Sequence, residues 1–119
     1  MPHYTPYYAD STLNIGATVR SKPLNVGQAI AIGYAIRTTG TASGTWSVQY
    51  SNDFVDGVDD PTSDAKWDTY TLSTTPPAAS GSAQTFGIQL DFFEYKYVRI
   101  KFTYASGAGT AFIAAQMKG

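Results

Sequence analysis

Six of the nine acidic residues of this chain, Asp53, Asp56, Asp59, Asp60, Asp64 and Asp68, fall within one short stretch. Clustered carboxylates repel one another, so solvent or a cation must offset them. Oxygen-rich loops are what calcium takes. The spacing here departs from the regular Asp-x-Asp-x-Asp-Gly loop, and Gly57-Val58 stands where a ligand would be expected. A solvated loop with no cofactor is therefore the expected reading. Asp53, Asp56, Asp59 and Asp60 are the residues that would take a metal if one bound.

Other chemistry has less to work with. The only histidine is His3, and there is no cysteine. A nucleophilic triad lacks a well-placed base, and a zinc site lacks its usual ligands. A glycosidase pair drawn from the acidic stretch would sit on one loop, where a fixed carboxylate separation is hard to hold. No catalytic residue is expected, and the chain is not expected to be an enzyme.

The aromatic residues are the better candidates for binding. Tyr4, Tyr7 and Tyr8 lie on an N-terminal segment with Pro2 and Pro6. Prolines this close forbid a helix and disfavour a central strand. Residues 1–11 are thus expected as an extended arm, either folded back over the domain or reaching a neighbouring subunit. The run from Phe92 and Phe93 through Tyr95 to Tyr97 holds too many adjacent rings for one buried face, so some must be exposed or covered by a partner. Trp46 and Trp67 could form a sugar-stacking platform, but on alternating strands tryptophan is expected in the core. Arg99 and Lys101 are expected to solvate the polar face of their strand, or else to pair with acids of a neighbour.

The elements that carry these residues read as strands. Leu13 to Val19 alternates with period two, as does the run from Gln28 to Arg37, which has isoleucines and Tyr34 on one face and Ala29, Ala31, Gly33 and Ala35 on the other. The small face suggests close cover, such as an intersubunit contact. Further strands are expected around Trp46–Tyr50, Trp67–Leu72, Phe86–Leu90, Tyr97–Tyr104 and Thr110–Met117, with Ser73 to Ser82 as a loop and Ala105 to Gly109 as a hairpin turn. The expected fold is an all-β, single-domain antiparallel β-sandwich over residues 12–119, jelly-roll-like, preceded by the arm.

Composition narrows the function classes. The 119 residues suit one domain. Charged residues are only 14% and the net charge is −1, so nothing favours nucleic acid as a partner. No apolar run is long enough for a membrane span, and the first residues lack the pattern of a secretory signal. Low charge in a β-rich chain suits proteins that act within assemblies.

The order Trp46-x-Val-Gln-Tyr-Ser-Asn-Asp, a loop, Trp67-Asp, a Pro/Ala/Gly-rich loop, Tyr95-Lys-Tyr-Val-Arg-Ile-Lys and a final Gln-Met-Lys-Gly resembles small structural proteins of tailed bacteriophages, most nearly capsid cement or decoration proteins. The resemblance covers about Thr45 to Gly119. It implies a non-enzymatic role on the outer surface of the head, bridging capsomers of the major capsid protein, often as dimers or trimers. It also implies that Trp46, Gln49, Trp67, Tyr97 and Arg99 are mostly scaffold. The expected contacts are the arm from Pro2 to Asp10 and the aromatics from Phe92 to Tyr97, and deleting Met1 to Ser11 is expected to abolish binding with the fold intact. A carbohydrate- or receptor-binding module and another virion subunit, in the tail or neck, are the alternatives.

Overall fold

Alternation of apolar and polar side chains builds two antiparallel sheets whose apolar faces meet. The computed structural model describes residues 4–26, 31–72, 74–91 and 94–118, and only the backbone of residues 4–12 and 118. The strands are β1 (Tyr4–Asn14), β2 (Val19–Arg20), β3 (Leu24–Asn25), β4 (Ala31–Gly40), β5 (Ser43–Ser51), β6 (Asp68–Tyr70), β7 (Ala79–Ser80), β8 (Thr85–Asp91), β9 (Tyr97–Ser106) and β10 (Gly109–Lys118). One sheet runs β1-β10-β4-β8. The other runs β2-β9-β5-β6, with β3 also on β9 and β7 also on β5.

Between them lies the core. Ile32, Tyr34 and Ile36 of β4, Ile88 and Leu90 of β8, and Ala111, Ile113 and Ala115 of β10 face Trp46 and Val48 of β5 and Val98, Ile100 and Phe102 of β9. Each fully buried branched or aromatic side chain contributes roughly 1.5–3 kcal/mol. Trp46 packs against Phe102 at 4.7 Å between ring centroids and against Phe86 at 5.8 Å.

Two long hairpin-like ladders share one corner of the molecule. β4 pairs with β10 up to Gly40 and Gly109, the chains cross between the sheets, and β5 pairs with β9 from Ser43 and Ser106 onward. The crossing requires close backbone approach. Gly107 sits at φ 81°, and a Cβ there would strike the Thr41 carbonyl. Gly44 leaves the space that the Phe102 ring fills.

Several expectations need correction. The segment expected as an extended arm, folded back or reaching a neighbour, lies on the domain from Tyr4 onward as β1, an edge strand paired along β10 from Tyr4–Lys118 to Asn14–Thr110. Pro6 is compatible with that position because an edge strand has unpaired backbone groups, and a register shift falls between Thr5 and Tyr8. The strand expected from Leu13 to Val19 is broken at Gly16, whose N–H bonds Asn14 Oδ1 at 2.8 Å in a turn that carries the chain from one sheet to the other. The expected loop from Ser73 to Ser82 contains β7, and the strand around Trp67–Leu72 shrinks to β6. Ala29 lies outside the described residues.

Candidate interaction surfaces

Arg99 sets the architecture of the outer face of the six-stranded sheet. Alternation points it away from the core between the sheets, yet it is 0% exposed. The acidic stretch folds over it as a lid. Its guanidinium donates to Gln49 Oε1 (2.8 Å), Pro61 O (2.7 Å), Ser63 O (3.1 Å) and Asp64 Oδ1 (2.8 Å). It also lies 4.0 Å above the Trp67 ring, a cation–π contact in a desolvated place. Phe54 packs against Trp67 at 5.2 Å and against Tyr97 at 5.3 Å, forming a second small core beneath the lid.

Asp64 is the staple. Beyond Arg99 it accepts a bidentate pair from Arg20 (2.8 and 2.8 Å), Lys101 Nζ (2.7 Å) and Gln49 Nε2 (3.2 Å). One carboxylate thus meets three cations drawn from β2 and β9. The Arg20 hydrogen bond, with those of Lys101 and Gln49, holds its carboxyl far below the ordinary carboxylate range. Burial pulls Arg99 down to about 10, against the attraction of Asp64, and it remains a cation at neutral pH. Arg99 and Lys101 therefore do not solvate their strand. They hold the lid to it.

The four metal candidates are dispersed along that lid. Asp53 Oδ1 accepts from Ser51 Oγ at 3.1 Å. Asp59 Oδ2 accepts from the Val55 N–H (2.7 Å) and from Lys66 Nζ (3.0 Å), and the Lys66 bond chiefly lowers its pKa. Asp60 Oδ1 accepts from Thr62 N–H and Oγ1, which lower its pKa likewise. Asp56 is exposed. Among the described residues no group of three or more His, Cys, Asp or Glu could hold a metal ion. Val55 and Val58, 47% and 79% exposed, are large apolar residues that the lid turns outward.

The candidate contact aromatics divide. Tyr95 is half-buried and stacks on Tyr50 at 3.8 Å, with Tyr70 edge-on to both at 6.3 Å. Phe92 and Phe93 lie outside the described residues, as do the side chains of Tyr4, Tyr7 and Tyr8. The backbone register does relate the two groups. Tyr4 pairs with Lys118, Lys118 with Ala31, and Ala31 with Asp91, so the start of β1 and the end of β8 share one end of the four-stranded sheet. Two strands separate them. Trp46 and Trp67 are buried, 5% and 7% exposed, and neither presents a ring to solvent as a sugar platform does.

The outer face of the four-stranded sheet is the other distinctive surface. Gly33 and Ala35 of β4 and Gly87 of β8 point outward and are exposed, with Ala31 and Ala114 half-buried beside them. They floor an open depression of about 770 Å³ bordered by Gln89, Asp91, Gln116 and Met117. Towards the corner, Arg37 lies over the Phe112 ring at 5.5 Å. Sequence alternation marked the small face; it could not show whether that face was covered. It missed the Asp64 staple altogether, although an arginine and a lysine two apart on a strand of a charge-poor chain were a usable signal.

No protein-family model matches the chain, and no curated protein is similar to it in sequence.

Proposed function

We propose that this chain is a non-enzymatic structural protein of a tailed-phage head, a cement or decoration subunit that binds the outside of the shell and bridges copies of the major capsid protein. In this reading the two sheets form a jelly-roll-like sandwich that associates as a dimer or trimer. The observation that supports it best is the outer face of the four-stranded sheet. Its middle is built of Gly33, Ala35 and Gly87 with neutral glutamines, and its charged side chains, Arg37 and Asp91, stand towards its two ends, so the centre lacks the charges that normally keep a sheet face in water. A face of small residues lets another backbone approach closely. Repetition over a lattice turns such modest contacts into durable ones.

The chemistry-bearing side chains point the same way. Arg20, Arg99, Lys101 and Asp64 are engaged with one another in holding the lid, which leaves a rigid surface in place of a reactive cleft. The contact residues proposed are Tyr4, Tyr7 and Tyr8, carried by β1, together with Phe92, Phe93 and Tyr95, which follow β8 in the sequence.

Electron microscopy and quantitative mass spectrometry of virions that carry the chain test the reading. Many copies at regular positions on the head, as densities within the 41 × 32 × 25 Å extents of the molecule, are the expected result. A few copies at the tail or neck, or none in the particle, would overturn it and bring glycan or receptor binding forward.

A further inference from the structure

The two edges of the four-stranded sheet are managed differently. β1 carries Pro6 and two register shifts, which blunt an edge against pairing with other chains. β8, Thr-Phe-Gly-Ile-Gln-Leu-Asp, has no proline, no lysine and no register shift against β4. The backbone groups it turns away from β4 follow from the ladder. Thr38 N–H donates to Gln84 O at 2.8 Å, which marks that pair as hydrogen-bonded. Alternation then makes Ile36–Phe86, Tyr34–Ile88 and Ile32–Leu90 the bonded pairs of β4 and β8. Thr41 N–H donating to Ala108 O gives β4 the matching parity towards β10. The N–H and C=O groups of Thr85, Gly87, Gln89 and Asp91 therefore point off the sheet. Thr74 to Pro77 stand beside this edge across a slot of about 390 Å³, and among the described residues no backbone hydrogen bond joins them to β8.

We propose that this edge is a docking site for the same edge of a second copy, β8 against β8 in antiparallel register about a two-fold axis at Ile88. This inference rests on the oligomeric part of the function proposed above and not on the capsid part. The occupant is argued from self-complementarity. With Ile88 opposite its own mate, Thr85 bonds Asp91 of the other copy and Gly87 bonds Gln89, so every outward N–H and C=O finds a partner. Slipping the register by one bonded pair in either direction leaves an end residue unpaired. The same register keeps the only charge on the edge, Asp91, opposite a threonine and away from its own mate. It also lays each Gln89 side chain beside the space over Gly87 of the other copy. The two outer faces become one continuous surface of small residues. Edge pairing buries little area, so the contact is weak in isolation and suited to repetition.

Sedimentation of the pure protein at rising concentration, with amide hydrogen exchange, tests the proposal. The expected result is a monomer–dimer equilibrium in which the Gly87 and Gln89 amides, fast in dilute protein, become protected as dimer forms. Gln89→Pro removes an N–H that no ladder bond uses, so the monomer keeps its fold while dimer affinity falls by at least about tenfold. A protein that stays monomeric at about 1 mM would overturn the proposal, as would dimerisation that leaves the Gly87 and Gln89 amides unprotected. Unchanged dimerisation of the folded Gln89→Pro variant would also overturn it. A dimer formed through β8 that fails to decorate heads would instead sink the capsid reading and leave this one standing.

Discussion

Removing the Asp64 carboxylate leaves Arg99 buried with its charge uncompensated, a case in which loss of one partner costs far more than the pair contributes. Asp64→Ala should lower unfolding free energy by about 3 kcal/mol in urea titration, with the loss concentrated in the lid. A double-mutant cycle with Arg99→Met should recover part of that loss, because the stranded cation goes too. The pH dependence follows from the lowered pKa of Asp64 and, on the same loop, of Asp59 and Asp60. A carboxylate depressed by folding contributes stability that is complete above its unfolded value, ordinarily 3.8, and fades as pH falls towards the folded one. Stability should be level from neutral pH to about 5 and drop below about 4, and Asp64→Asn should shallow that drop. With both tryptophans buried, native emission should resist iodide quenching and ignore added glycans. A red shift or quenching by a sugar would place a ring at the surface.

At the scale of elements, β1 is the strand whose importance the sequence concealed. Two prolines and three tyrosines read as an arm because propensity sees only neighbours along the chain, whereas β1 is made by β10, far off in sequence. Deleting residues 4–11 should therefore lower both the urea midpoint and the m-value, since the bared β10 no longer buries its flank. An unchanged melt would return the segment to the status of an arm. The long strands β4, β5, β8, β9 and β10 were legible from strict alternation. The short β2, β3 and β7 were not, because two residues carry no period, whereas β6 lies inside a strand expected to be longer, Trp67–Leu72. Asp64 escaped notice for a related reason: its partners, Arg20, Gln49, Arg99 and Lys101, sit on three different strands. The faces were half legible, since Ala35 and Gly33 announced a small-residue side without saying what it meets.

At the scale of the whole molecule, two layers account for the core, and the lid adds a small second core on the outer side of one of them. Function, on the reading proposed here, belongs to the remaining outer surface and to the edges. The strand order also bears on how the protein is made. β10 is the last strand in the chain, yet it lies between β1, the first, and β4. A ribosome emitting this chain from its N-terminus exposes β1 and β4 long before the strand that joins them exists. The four-stranded sheet can then close only after synthesis has passed residue 118, and until that moment β1 and β4 each present an edge without the strand that pairs with both.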